Sequence, residues 1–197
     1  RLENRLTLLA WLNGLFGYGS NEDMLRDMRG AGEGFDAAGR SFVYHHLVGR
    51  GAQVKLPVDD LARYDENIRG HLAAINARRP EPVTLRYFQT MALLYAEIFL
   101  DWRLNRPAAF LQALNDFVAA RNARQRLGDA LEPPFAEADL NKLAFWMATG
   151  SGKTLLMHIN VRQFLHYNRA PLDNILLITP NEGLSEQHML EMTASGI

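Results

Sequence analysis

The run Gly150-Ser151-Gly152-Lys153-Thr154 constrains this 197-residue chain more than any other feature. Two glycines one residue apart allow backbone conformations that side chains disfavour. Such a loop can curl and turn its N–H groups inward, onto an anion. Its flanks suit that role. Residues 143–148 form a short apolar run of the length of a buried strand, and residues 153–167 carry helical periodicity. A helix that begins at the loop adds the positive end of its dipole. Lys153 adds a mobile cation and Thr154 a hydroxyl. The pattern predicts a phosphate-binding loop for ATP, formed by Thr149, Gly150, Ser151, Gly152, Lys153 and Thr154. Lys153 is expected to reach the β- and γ-phosphates and Thr154 to ligate Mg²⁺, which makes these two the candidate catalytic residues. The plainer alternative is a glycine turn that happens to precede a helix. The apolar run before the loop and the helix after it argue against that.

A second apolar run covers residues 174–179, and Pro180-Asn181 then leads into another helical stretch. Strand, helix, strand, helix predicts an α/β arrangement, a parallel sheet with crossover helices. The rest of the chain reads as helix. Leu2, Leu6, Leu9, Leu12 and Leu15 recur at helical spacing, and Ser20 with Asp23 resembles a capping box. Gly30, Gly32 and Gly34 interrupt the pattern. Helices are expected near residues 42–47 and 57–79, then over 84–105, and again from Pro107. One helical turn is expected over 137–141.

Composition adds exclusions. Lys plus Arg number 21 and Asp plus Glu 22, so net charge near −1 advertises no general affinity for nucleic acid. The absence of cysteine removes disulfides and thiolate metal sites, and fits a cytoplasmic setting. No apolar run reaches the ~18 residues of a membrane span. Because the chain begins at Arg1 and stops at Ile197, it is read as an N-terminal piece of a longer protein.

The stretch Met147-Ala148-Thr149-Gly150-Ser151-Gly152-Lys153-Thr154 resembles motif I of superfamily 2 DEAD/DEAH-box helicases. It lacks the glycine that many other phosphate loops carry at the position of Met147. Ile178-Thr179-Pro180-Asn181-Glu182-Gly183-Leu184-Ser185-Glu186-Gln187 is similar to motif Ia, which in that family touches the backbone of the bound strand. That likeness implies nucleic-acid contacts for Thr179, Pro180 and Gln187. Alone, Thr179-Pro180 reads equally as a strand-to-helix turn. Leu85-Arg86-Tyr87-Phe88-Gln89 resembles the segment that holds adenine, with Gln89 on the base edge and Tyr87 or Phe88 stacked on it. The alternative, a polar position on a core helix, stays open. About 60 residues separate Gln89 from the loop, more than the family uses, so residues 100–140 would be an inserted helical excursion. Lys142 to Gly150 looks most like the helicase subunit of type III restriction enzymes.

The resemblance implies an incomplete RecA-like P-loop NTPase core over 142–197, the first part of a helicase ATP-binding domain. A helical segment over 84–141 and a helical accessory region over 1–83 would precede it. It further implies the ATP-binding part of a nucleic-acid-dependent ATPase, a DNA helicase or translocase of a restriction or defence system. Its partners would be nucleic acid, DNA before RNA, a second RecA-like domain of the same protein, and a methyltransferase or nuclease. The acidic pair and the arginine finger that hydrolysis requires in this family are not found here. Ile98-Phe99-Leu100-Asp101 imitates the acidic strand, but it lies in a helical pattern ahead of the loop. This piece alone is therefore expected to be inactive. The competing function is a P-loop ATPase that switches assembly without moving along a strand.

Other polar groups take plainer readings. His45-His46 lacks partners at metal-ligand spacing. His158 and His166 lie two helical turns apart, and Asp59-Asp60 reads as a helix cap. Arg121, Arg124 and Arg126 read as a solvated loop or, less simply, as phosphate contacts.

Overall fold

The computed structural model describes residues 6–126 and 130–196, so Leu2 of the expected first stripe lies outside the described residues. The described residues hold eight α-helices: α1 (Thr7–Leu15), α2 (Asn21–Met28), α3 (Phe42–Gly49), α4 (Val58–Asn76), α5 (Tyr87–Asn105), α6 (Pro107–Asn122), α7 (Lys153–Tyr167) and α8 (Glu182–Ala194). Single 3₁₀ turns cover Gly51–Gln53 and Glu137–Asn141.

Local chemistry explains where these helices start. Ser20 caps α2 by accepting from the Asp23 N–H at 3.1 Å, as the capping pattern predicts. Ser41 caps α3 through the Tyr44 N–H at 2.9 Å. Its own N–H donates to Asp65 Oδ2 at 3.1 Å, which pins α3 to α4. Pro107 opens α6 at the position where its missing donor costs nothing. Asp59 and Asp60 are not the cap of α4. Pro57 holds that place, and both carboxylates lie in the first turn, where the helix dipole favours negative charge.

Helix α5 is the axis of the molecule. Its buried positions include Thr90, Leu93, Leu94, Glu97, Ile98 and Asp101, so nearly its whole circumference is covered. Helices α4 and α7 pack against it and against each other, while α6, α3 and α2 cover its other sides. Trp11, Trp102 and Phe110 form an aromatic knot between α1, α5 and α6, with ring centroids 5.3 Å apart for Trp11–Trp102 and Trp11–Phe110. One core cluster runs from Trp11 to Tyr167 and takes side chains from all three sequence segments.

The expected α/β class is overturned. Among the described residues there is no strand and no sheet, only an isolated antiparallel bridge between Phe35 and Ser41. Neither the parallel sheet nor the RecA-like core expected over 142–197 is seen. Residues 142–148 and 174–179 are irregular. Most of their apolar side chains stand in solvent, with Trp146 86% and Ile178 82% exposed, while Met147 is half-buried against the core. An apolar run signals a wish for burial, but a strand exists only through ladder partners, and these two runs do not pair.

Candidate functional site

The glycine loop has the local geometry that its sequence demands. Gly150 sits at φ +76° and Gly152 at φ +84°, both in the left-handed region. Gly152 is the N-cap of α7 and supplies no side-chain cap. The positive end of a 15-residue helix is therefore left open, with Lys153 and Thr154 as its first two residues.

The loop is folded on itself through one carbonyl. Ala148 O accepts from Ser151 Oγ at 2.7 Å, from Ser151 N at 3.3 Å and from Lys153 Nζ at 2.8 Å. Lys153 Nζ also reaches Met147 O at 3.3 Å. The ammonium therefore bridges the start of the loop, on a flexible stem and exposed to water. Thr154 is half-buried beside it. An apolar cleft of about 520 Å³ adjoins the loop, between α7 and the irregular segments. Phe145, Met157, Val161, Phe164 and Ile175 line it, and Lys153 is its one charged lining residue. That lining offers contact surface and few hydrogen-bond donors, so the cleft is a neighbour of the loop, not a phosphate pocket.

Gln89 is brought to the loop from 62 residues away. Its Nε2 donates to Ser151 O at 2.9 Å. Its Oε1 accepts from Arg86 N at 2.9 Å and so closes the first turn of α5. The residue is 7% exposed. Tyr87 and Phe88, the candidate stacking rings, are half-buried next to it and meet edge to face at 5.5 Å.

The segment resembling motif Ia makes its hydrogen bonds within its own turn and helix. Thr179 Oγ1 donates to Asn181 O at 3.0 Å, and Asn181 caps α8 through the Leu184 N–H at 3.0 Å. Pro180 is exposed, and Gln187 donates to Glu191 on its own helix at 2.9 Å. Helix α8 buries none of its own residues and docks through the turn that follows it. Ser195 Oγ meets His158 Nδ1 at 2.8 Å and Arg79 at 3.0 Å. Arg162 donates to the carbonyls of Ser195 and Gly196 at 3.2 and 3.3 Å. His158 is held below the ordinary histidine range, first by burial.

Behind the loop, α7 is fastened by a buried polar cluster that sequence reading did not single out. Glu97 on α5 is wholly buried and accepts from Tyr167 OH at 2.6 Å, Gln163 Nε2 at 2.8 Å and Asn67 Nδ2 at 3.0 Å. Burial pushes the Glu97 carboxyl above the usual carboxylate range. His71 approaches it at 3.7 Å. Burial, and then the charges of His166 and Arg162, push His71 down to about 4. Burial favours the neutral form of both groups, so the approach is not a working ion pair. The available signal was an acid in an otherwise apolar stripe, one turn beyond Leu93.

The remaining polar candidates have structural partners. His45 pairs with Asp36 at 2.7 Å and His46 with Asp27 at 3.0 Å. Asp101, in the segment that imitates an acidic strand, lies in α5 as its helical pattern predicts, and binds Arg106 at 2.6 Å and Arg63 at 3.2 Å. Arg121 pairs with Glu132 at 2.7 Å.

No curated protein and no solved structure gives a match to this chain. One family description does match, that of the type III restriction enzyme res subunit, over residues 108–196. The match takes in the glycine loop, α7 and α8, and starts after Gln89. Over those residues the chain is therefore similar to the res subunit of type III restriction enzymes, which supports a helicase-like domain of that kind there.

Proposed function

We propose that this chain is the ATP-binding part of a nucleic-acid-dependent ATPase, a DNA helicase or translocase of a restriction system. The observation that carries the reading is the loop at the head of α7, inside the family match. Two left-handed glycines, an uncapped helix start, the Lys153 ammonium and the hydroxyls of Ser151 and Thr154 fall within five residues. Those groups fit a triphosphate with its metal. Main-chain N–H groups and the helix dipole suit phosphate oxygens, and the Thr154 hydroxyl suits Mg²⁺. When bound, Mg²⁺ supplies neutralising charge for the phosphates.

The chain's own groups then have distinct tasks. Lys153 leaves the Ala148 carbonyl and turns its ammonium to the β- and γ-phosphates. Thr149, Gly150, Ser151 and Gly152 wrap the phosphates with main chain, and Gln89 completes the site from α5. Thr179, Pro180 and Gln187 contact the nucleic-acid backbone, with DNA favoured. Hydrolysis requires groups from a second motor domain of the same protein. A methyltransferase or nuclease is the further partner in this reading. Among the described residues no helix is long and apolar enough to cross a membrane. A cytoplasmic setting is part of the same proposal.

The test is MgATP binding to the 197-residue chain by calorimetry, beside a Lys153→Ala variant. Binding that the substitution removes is expected, with no turnover of ATP by the chain alone. Absence of binding, or binding indifferent to Lys153→Ala, refutes the site. Turnover by this chain that Lys153→Ala abolishes refutes the need for a second domain.

A further inference from the structure

We infer that Gln89 is a positioning residue for the phosphate loop, acting through Ser151 and Gly152 and not through the nucleotide base. The inference rests on the phosphate-loop reading above and concerns what lies behind that loop.

Three observations converge. The Gln89 amide is already engaged at both ends, its oxygen by Arg86 N and its nitrogen by Ser151 O, each at 2.9 Å. A side chain used in this way is held in one orientation, facing the loop. The contact is also close. A Cβ placed on Gly152 would lie 2.4 Å from Gln89 Nε2. The φ of +84° favours glycine at position 152, and any side chain there would also have to displace the Gln89 amide. Finally, Gln89 stands on a rigid element, because α5 is buried almost throughout and packs along α7. A bond from such a helix fixes the main chain between the two glycines, the part of the loop with most freedom to lose.

The physical consequence is pre-organisation. By fixing the Ser151 carbonyl, Gln89 sets the peptide plane that also carries the Gly152 N–H before an anion arrives, while the Ser151 N–H stays bonded to Ala148 O. Ordering costs that would otherwise oppose binding are then met in the free protein. A base-reading glutamine and a loop-holding glutamine differ in what they discriminate. The first distinguishes ATP from other triphosphates. The second helps every ligand that carries a triphosphate, including one with no base.

The experiment measures binding of MgATP, MgGTP and magnesium tripolyphosphate to the 197-residue chain. Gln89→Glu keeps an oxygen for Arg86 N but cannot donate to Ser151 O, so helix capping is separated from loop support. Gln89→Met has similar volume and makes neither bond, and it carries the test if the glutamate variant misfolds. Both variants are expected to weaken all three ligands by the same factor, about tenfold for one lost hydrogen bond. Hydrogen exchange at the Ser151 and Gly152 amides of the free protein should accelerate in parallel, a change that loss of a base contact would not produce. A loss confined to MgATP makes Gln89 a base ligand and overturns the inference. Unchanged binding and exchange in both variants overturn it as well. Those failures leave wild-type binding and its dependence on Lys153 intact. If the wild type binds none of the three ligands, the phosphate-loop reading itself falls, and this inference with it.

Discussion

Replacing Glu97 tests how the helix behind the loop is held in place. The Glu97 carboxyl group is the common acceptor for Tyr167 and Gln163 on α7 and for Asn67 on α4, at 2.6, 2.8 and 3.0 Å. Glu97→Ala removes it. The three donors do not suffer equally. Gln163 keeps a bond to Leu93 O at 2.9 Å, and Asn67 keeps one to Tyr167 OH at 3.2 Å. The Tyr167 hydroxyl proton loses its acceptor in a buried setting, which costs about 1–3 kcal/mol. With a smaller loss at the other two donors and a small cavity, the total comes to about 3 kcal/mol. For a chain of this length that lowers Tm by roughly 6–12 °C. Glu97→Gln keeps one acceptor but faces the Gln163 amide with a donor, and should cost about 1 kcal/mol. The pH dependence provides a second arm. Burial raises the folded-state pKa of Glu97 above its unfolded value of 4.5. Its stabilising contribution is thus complete below that value and is lost as pH rises through the folded pKa. Wild type should lose stability relative to Glu97→Gln as pH climbs from 4.5, in urea unfolding followed by circular dichroism. The reasoning fails if Glu97→Ala lies within about 1 kcal/mol of wild type. A difference between wild type and Glu97→Gln that stays flat with pH would also sink it.

Two further outcomes concern the neighbouring charges. His71 falls from 6.5 to about 4 on folding, so its contribution is complete above 6.5 and lost as pH drops through that window. The shift corresponds to about 3 kcal/mol. It should be seen as a stability difference between Glu97→Gln and the double variant Glu97→Gln/His71→Asn that shrinks below pH 6.5, and a constant difference would contradict it. At Asp101, burial alone would raise the pKa, but bonds from Tyr64, Asn105, Arg106 and Arg63 outweigh it and hold the group at about 2. The resulting stability is present above 3.8 and lost as pH falls toward 2. Acid unfolding of wild type should show a loss of about 2 kcal/mol that Asp101→Asn lacks, and parallel acid curves would refute this account.

The helices were legible in the sequence because their signals are local. A period near 3.6, Ser20 three residues ahead of Asp23, and Pro107 after a break each act within one or two turns, and all appear where the pattern puts them. The glycine loop was legible for the same reason. Its left-handed residues and its uncapped helix follow from five consecutive letters. The strands were not, because the sequence can report only that residues 143–148 and 174–179 are apolar. Ladder partners are a property of other segments, and among the described residues none takes that part. Glu97 was invisible for a related reason. Its character depends on Asn67, Gln163 and Tyr167, up to 70 positions away.

Gln89 shows what a motif can and cannot specify. The likeness of residues 85–89 to an adenine-holding segment draws attention to one amide, and that amide donates to the loop despite the long separation. The contact itself follows from packing. Once α7 lies along α5 with Leu156, Ile159, Gln163 and Tyr167 facing inward, the first turns of both helices meet, and whatever occupies position 89 must face Gly152. A side chain there that can donate steadies the loop, whereas one that cannot leaves the Ser151 carbonyl without that bond. The helical region ahead of the loop therefore belongs to the architecture of the loop, and a change of packing along the α5–α7 contact has a direct route to Gly150 and Gly152.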